Sequence, residues 1–171
     1  SEGKYKIGVL FTDSEVRVEE VKFQKGMVWE RQLNGFGGLG TPIVSGDLIY
    51  VPLVDDQMSE HCGVVALDKN TGEQVWYYKT RGSVRNNMAL EEGLLFVSDV
   101  TSVLYALNPV DGSLVWNYKF RKDGMHPCNS QGVCYSDGMI YVGQGLHLTA
   151  LRAKDGSVVW KNTEVRNTGI T

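Results

Sequence analysis

Residues 66–76 read ALDKNTGEQVW, and the phrase returns as ALNPVDGSLVW at 106–116 and as ALRAKDGSVVW at 150–160. Each copy is a short apolar run, a turn built on Thr-Gly or Asp-Gly, and a second apolar run that closes on a tryptophan. Glycine supplies the positive backbone angle that a tight turn needs, so each copy reads as a β-hairpin. The chain's four tryptophans, Trp29, Trp76, Trp116 and Trp160, are spaced by 47, 40 and 44 residues. A fourth, weaker unit therefore lies at the N-terminus and ends in Met27-Val28-Trp29-Glu30. A recurring period of this length is the signature of stacked repeats.

The segments between the hairpins complete the unit. In the second unit, residues 41–45 form a short strand, Gly46-Asp47 a turn, and 48–54 (LIYVPLV) a buried strand. Pro52 marks an irregular or locally unpaired position in that strand. A polar loop at 55–61 leads into the hairpin. The third unit repeats the order with 87–90, 94–98, 103–108 and 114–120, and the fourth with 132–136, 139–142, 148–153 and 158–162. The first unit shows three strands, at 6–11, 14–23 and 27–33, and the Gly-rich stretch 35–40 (GFGGLG) reads as a linker between units. Nothing reads as a helix. Four-stranded antiparallel units at this spacing predict an all-β propeller, because one small sheet cannot bury both faces alone and must stack on its neighbours.

The expected organisation is a single propeller domain over 1–171. Its blades run from about 5–34, 40–80, 85–120 and 130–163, with a final strand at 165–171. The final segment, VRNTGIT, lines up with VRNNMAL at 84–90, which opens the third unit, whereas the first unit lacks such a strand. The last strand would then pair with the first unit, in its own ring or in a partner's.

A net charge of −3 gives no basic footprint for nucleic acid. No apolar run is long enough to span a bilayer, and residues 1–6 carry no signal-peptide pattern. The three cysteines, Cys62, Cys128 and Cys134, cannot all pair within one chain. His126, Cys128, Cys134 and His147 have the ligand chemistry for zinc, but the plainer reading makes Cys134 a buried strand residue and the others loop residues. Glycines 35–40 do not lead into a helix, so they form no phosphate cradle. No catalytic constellation and no metal site emerges.

The motif A-L-D-x-x-T-G-x-x-x-W, carried by Ala66, Leu67, Asp68, Thr71, Gly72 and Trp76, resembles the tryptophan-docking motif of the pyrroloquinoline-quinone (PQQ)-like β-propeller repeat family. The resemblance covers 40–160 well and 4–33 loosely. It implies that Trp76, Trp116, Trp160 and, in the weaker unit, Trp29 pack between neighbouring blades. Asn108 and Arg152 stand where the motif has Asp68, and Asp111 and Asp155 where it has Thr71, which alters the side chains available to close those turns. Rings of this family usually have seven or eight blades. The chain is accordingly expected to be a half-ring, a ring completed by a homodimer, or a fragment of a larger propeller with additional blades. Family members divide into quinone dehydrogenases, which hold the quinone and calcium, and non-enzymatic scaffolds. The adjacent cysteines that mark the dehydrogenases are missing, so no cofactor is expected.

The connections between blades and the loops between second and third strands are expected to share one rim. They carry Arg81, Arg85, Asn86, Arg121, Lys122, His126, Asn129, Arg166 and Asn167. Guanidinium forks and amides suit carboxylate, phosphate or sugar, so the rim is the expected binding surface for a protein or for a carbohydrate or anionic ligand. The sequence thus predicts a non-enzymatic interaction module of a larger bacterial protein. From the resemblance alone, that protein is expected to be extracytoplasmic, in the periplasm or at the cell surface. The alternative is part of an enzyme: a quinone-dependent dehydrogenase with cofactor residues outside this chain, or a propeller fused to a hydrolase domain.

Overall fold

The structure, a computed structural model, describes residues 28–37, 39–58, 60–120, 130–144 and 147–162. Among these it forms three four-stranded antiparallel sheets and no helix. The first sheet holds β1 (Ile43–Ser45), β2 (Leu48–Leu53), β3 (Gly63–Asp68) and β4 (Gln74–Lys79). The second holds β5 (Ala89–Glu91), β6 (Leu94–Ser98), β7 (Val103–Leu107) and β8 (Leu114–Lys119). The third holds β9 (Ser130–Ser136), β10 (Met139–Gln144), β11 (His147–Arg152) and β12 (Val158–Asn162). Within each sheet the strands lie side by side in chain order, as hairpin connections require.

The repeated phrase forms the last hairpin of each sheet. Its ladder slips at the same place each time, between Ala66 and Leu67, Ala106 and Leu107, and Ala150 and Leu151. The turns close on the same backbone bonds, from Gly72 to Asp68, Gly112 to Asn108 and Gly156 to Arg152, each 2.9 Å. The altered side chains preserve the chemistry. Thr71 Oγ1 accepts from the Glu73 N–H at 3.2 Å, and the carboxylates of Asp111 and Asp155 accept from Ser113 and Ser157 in the same way at 2.9 Å. Asp68 and Asn108 accept from the N–H two residues on. Arg152 has no acceptor to offer, and its guanidinium donates to Ser157 Oγ at 3.3 Å instead.

The sheets stack face to face, so their central strands are covered on both sides and read as continuous apolar runs. Tyr50, Val64, Ala66 and Trp76 of the first sheet meet Leu95, Val97, Tyr105 and Leu107 of the second. The opposite face of the second sheet, with Phe96, Leu104 and Ala106, meets Ile140, Val142 and Leu151 of the third. The outer face of the first sheet buries Val51, Leu53, Val65 and Leu67 against Trp29 and Leu33.

Three of the four indoles dock on the hairpin of the following unit. Trp76 Nε1 donates to the Pro109 carbonyl at 3.0 Å and its ring lies on Gly112. Trp116 Nε1 donates to the Ala153 carbonyl at 3.0 Å and covers Gly156. Trp29, despite its weaker surrounding motif, donates to the Lys69 carbonyl at 2.9 Å and covers Gly72. The three acceptors are repeat-equivalent, each one residue after the A-L-x triplet. Trp160, on the outer strand of the third sheet, stays 40% exposed.

Three local expectations change, while Pro52 is locally unpaired on the β1 side as expected. Residues 28–33 form no strand, and the strands expected at 6–11 and 14–23 lie outside the described residues. The glycine-rich stretch is more than a linker: Phe36 exchanges two 2.9 Å backbone bonds with Val54, and a Cβ on Gly35 would come within 2.7 Å of the His61 carbonyl. Pro52 keeps register with Val64 on β3, while the β1 ladder ends at the Ile43–Tyr50 pair. Its missing N–H is therefore tolerated beyond the end of β1. Cys134 is exposed, not buried, because Val133 takes the face toward the second sheet and leaves Cys134 on the face that no described sheet covers. The first blade, about 5–34, and the final strand, 165–171, lie almost entirely outside the described residues.

Candidate functional site

Three loops meet at one end of the stack: β2–β3, the β4–β5 connection and β6–β7. Buried Ser83 ties the first two together, its Oγ accepting from the Asp55 N–H at 3.0 Å and donating to Asp56 Oδ1 at 2.7 Å. The Val100 N–H donates to the Ser83 carbonyl at 3.0 Å and brings in the third. Asp55 closes its own loop by accepting from the N–H groups of Met58, Glu60 and His61 at 3.0–3.1 Å. Arg85 forms an ion pair with Asp56, whose side chain is 43% exposed.

Asp99 is the buried hub of the β6–β7 loop. Its carboxylate accepts from the Gly82 N–H (3.1 Å), the Thr101 N–H (2.9 Å) and hydroxyl (2.8 Å), the Val103 N–H (3.1 Å) and the Tyr105 hydroxyl (2.9 Å). A buried carboxylate is tolerable when its lone pairs are filled in this way. Burial, and then the Asp99 charge, pushes the Tyr105 phenol well above its ordinary range. Tyr105 Oη also accepts from the Arg81 N–H at 3.1 Å, so the hub fixes the backbone on which Arg81 stands.

Beside this hub, between the first and second sheets, opens a cleft of about 370 Å³. Tyr78 and Tyr105 wall it, edge to face at 5.7 Å. Lys79 at the end of β4, Arg81 just beyond it, and Asn117 and Lys119 near the end of β8 complete the lining. Lys79, Arg81 and Lys119 are exposed, and among the described residues none of the three has an ion-pair partner.

The rim residues named from sequence thus separate. Arg81 reaches the cleft, Arg85 is occupied by Asp56, and Asn86 is half-buried and engaged. Arg121, Lys122, His126, Asn129, Arg166 and Asn167 lie outside the described residues. Lys79 and Lys119 escaped notice, although Trp-Tyr-Tyr-Lys at 76–79 and Trp-Asn-Tyr-Lys at 116–119 place a lysine three residues after the tryptophan in both units. Among the described residues no three His, Cys, Asp or Glu side chains gather to hold a metal ion, and no helix is long and apolar enough to cross a membrane.

The loop and turn carboxylates share one electrostatic consequence. The N–H groups of Met58 and His61 hold Asp55 below the usual carboxylate range, the Ser83 hydroxyl and Arg85 do so for Asp56, and the Thr71 and Asn70 N–H groups for Asp68. Ser113 and Ser157, chiefly through their hydroxyls, lower Asp111 and Asp155. A carboxyl whose pKa is lower folded than unfolded contributes stability that is complete above its ordinary pKa and is lost as pH falls toward the folded value. The thermal midpoint, followed by circular dichroism, should fall steadily below about pH 5. A midpoint unchanged between about pH 6 and 3 would show that these bonds do not favour the ionised form.

The comparisons with known proteins agree on the fold. The tetrathionate hydrolase of Acidithiobacillus ferrooxidans is 24% identical over 168 residues, covering 84% of this chain and 33% of the hydrolase. The outer membrane protein assembly factor BamB of Nitrosomonas eutropha is 28% identical over 109 residues, covering 63% of this chain and 26% of that protein. The crystal structure of quinohemoprotein alcohol dehydrogenase from Comamonas testosteroni superposes with a TM-score of 0.68 at 22% identity, covering 80% of this chain and 22% of that one. The chain therefore spans about a third or less of the length of these relatives. The PQQ_2 family model, described as outer membrane protein assembly factor BamB, matches residues 13–171. With its three antiparallel sheets and repeated hairpin, the chain belongs to this PQQ-like β-propeller family.

Proposed function

We propose that this chain is a non-enzymatic propeller module that binds a protein or an anionic or carbohydrate ligand within a larger extracytoplasmic bacterial protein. The observation that carries this reading is the use made of six aspartates at the loop end and in the hairpin turns. Asp55, Asp56 and Asp99 are spent on the N–H, hydroxyl and guanidinium groups that hold the loops together, and Asp68, Asp111 and Asp155 close the hairpins. A general base or a ligand for a hard cation needs free lone pairs, and these groups use theirs structurally. The match to an outer membrane assembly factor supports both the interaction role and the compartment.

The binding surface is the loop end, with Arg81, Arg85 and Asn86 joined by Arg121, His126, Asn129, Arg166 and Asn167. Residues 5–34 supply a further blade, which the strand at 165–171 completes within the chain or in a second copy. The second reading, part of an enzyme, is supported by the similarity to a tetrathionate hydrolase over 84% of the chain.

Incubation of the intact protein with PQQ and calcium, followed by desalting, separates the two. The module should retain no quinone absorbance, reduce no dye with alcohols as donors and consume no tetrathionate. One quinone held per chain with calcium-dependent dye reduction, or loss of tetrathionate, would establish the enzyme reading in its place.

A further inference from the structure

We infer that the cleft between the first and second sheets is a carboxylate-binding site, with Lys79, Arg81 and Lys119 as its charged contacts. This deepens the interaction-module reading and rests on it. The chain is acidic overall, yet these three cations share one cleft without a partner among the described residues, while Arg85 and Lys69 each lie beside an aspartate. Like charges gathered on a small surface repel unless an anion joins them. Asp99, which Tyr105 touches, is fully buried and already accepts five hydrogen bonds, so it is not that anion.

The backbone positions are set by the fold. Lys79 and Lys119 end outer strands of two different sheets, so both sheets contribute charge to the cleft. Arg81 stands on backbone fixed through Tyr105 and Asp99. The Arg81 guanidinium offers a planar fork that matches a carboxylate, the lysines add point charge, and the Asn117 amide adds a neutral donor. The Tyr78 and Tyr105 rings supply apolar surface beside the cations. A volume near 370 Å³ accepts a small polycarboxylate or two neighbouring acidic side chains of an extended segment.

Fluorescence anisotropy of labelled hexaglutamate with the intact protein tests the site, with citrate as competitor. The triple substitution Lys79→Gln, Arg81→Gln, Lys119→Gln should weaken hexaglutamate binding by at least about tenfold. Lys154→Gln, at an exposed turn of the third sheet, should leave it unchanged. Lys79→Arg with Lys119→Arg should retain binding, which separates loss of charge from loss of fold. Displacement by citrate identifies a site for free carboxylates; binding of the peptide without such displacement identifies an acidic segment. Equal weakening by Lys154→Gln, no weakening by the triple variant, or failure of wild type to bind either probe would overturn the assignment. None of these readouts depends on the quinone assay, so the site and the module reading fail separately.

Discussion

Replacing Asp99 with alanine is expected to lower the unfolding free energy by about 4 kcal/mol, and the thermal midpoint by on the order of 10 °C. The carboxylate sits at full burial and satisfies five donors. Alanine orphans all of them at once. Thr101 is only half-buried and can turn to water, but the N–H groups of Gly82 and Val103 belong to buried residues and cannot. Each orphaned buried donor costs about 1–3 kcal/mol. Asparagine keeps one oxygen for the Thr101 N–H, the Thr101 hydroxyl and the Val103 N–H. Its amide NH₂ then faces the Gly82 N–H, donor against donor, while the Tyr105 hydroxyl can rotate to accept. Asp99→Asn should therefore cost about 2 kcal/mol, and Tyr105→Phe about 1 kcal/mol. Urea unfolding of the three variants checks the order. If asparagine proved as damaging as alanine, the negative charge rather than the count of donors would be what the hub requires.

That hub shows where sequence reasoning stops. The hairpin phrase is local: its turn, its bulge and its tryptophan fall within eleven residues, so a period search finds the unit without knowing what it touches. The donors to Asp99 come from residues 82, 101, 103 and 105, on both sides of two strands. Nothing in the run Val97-Ser98-Asp99-Val100 distinguishes a buried acceptor from a solvated turn. The described rim residues differ from one another for a related reason. Arg81 and Arg85 are four residues apart and look equivalent in sequence, but Asp56, brought in by the β2–β3 loop, occupies only Arg85. The cleft lysines are not among the rim residues because they end outer strands rather than sit in loops, and what brings them to one cleft is the stacking of two sheets. Cys134 was misread because period-2 alternation says which residues share a face and leaves open which face is covered.

The second large effect concerns the contact that repeats along the stack. Trp76 is 8% exposed, packs on Tyr50 at 5.8 Å and donates to the Pro109 carbonyl. Trp76→Ala is expected to cost about 3–5 kcal/mol, the range for deleting a buried aromatic. Gly112, on which the ring lies, has φ of +73°, and a Cβ there would approach Trp76 Cε3 to 2.6 Å. Gly112→Ala should cost about 3 kcal/mol, of which about 1 is the left-handed backbone and the rest displacement of the indole. Once Trp76 is alanine, only the backbone part remains, so Gly112→Ala should then cost about 1 kcal/mol. The double-mutant cycle should therefore show about 2 kcal/mol of interaction between residues 36 positions apart. Trp160→Ala should cost less than Trp76→Ala, because Trp160 is 40% exposed and the described residues give it no acceptor carbonyl. Additive costs at Trp76 and Gly112 would mean that the turn and the indole stabilise their own sheets independently. Interaction of the expected size would mean that each sheet is held to the next through one ring on one glycine. A sheet with an uncovered tryptophan then still carries half of such a contact, and any hairpin that brings a left-handed glycine and a free carbonyl to Trp160 would complete it.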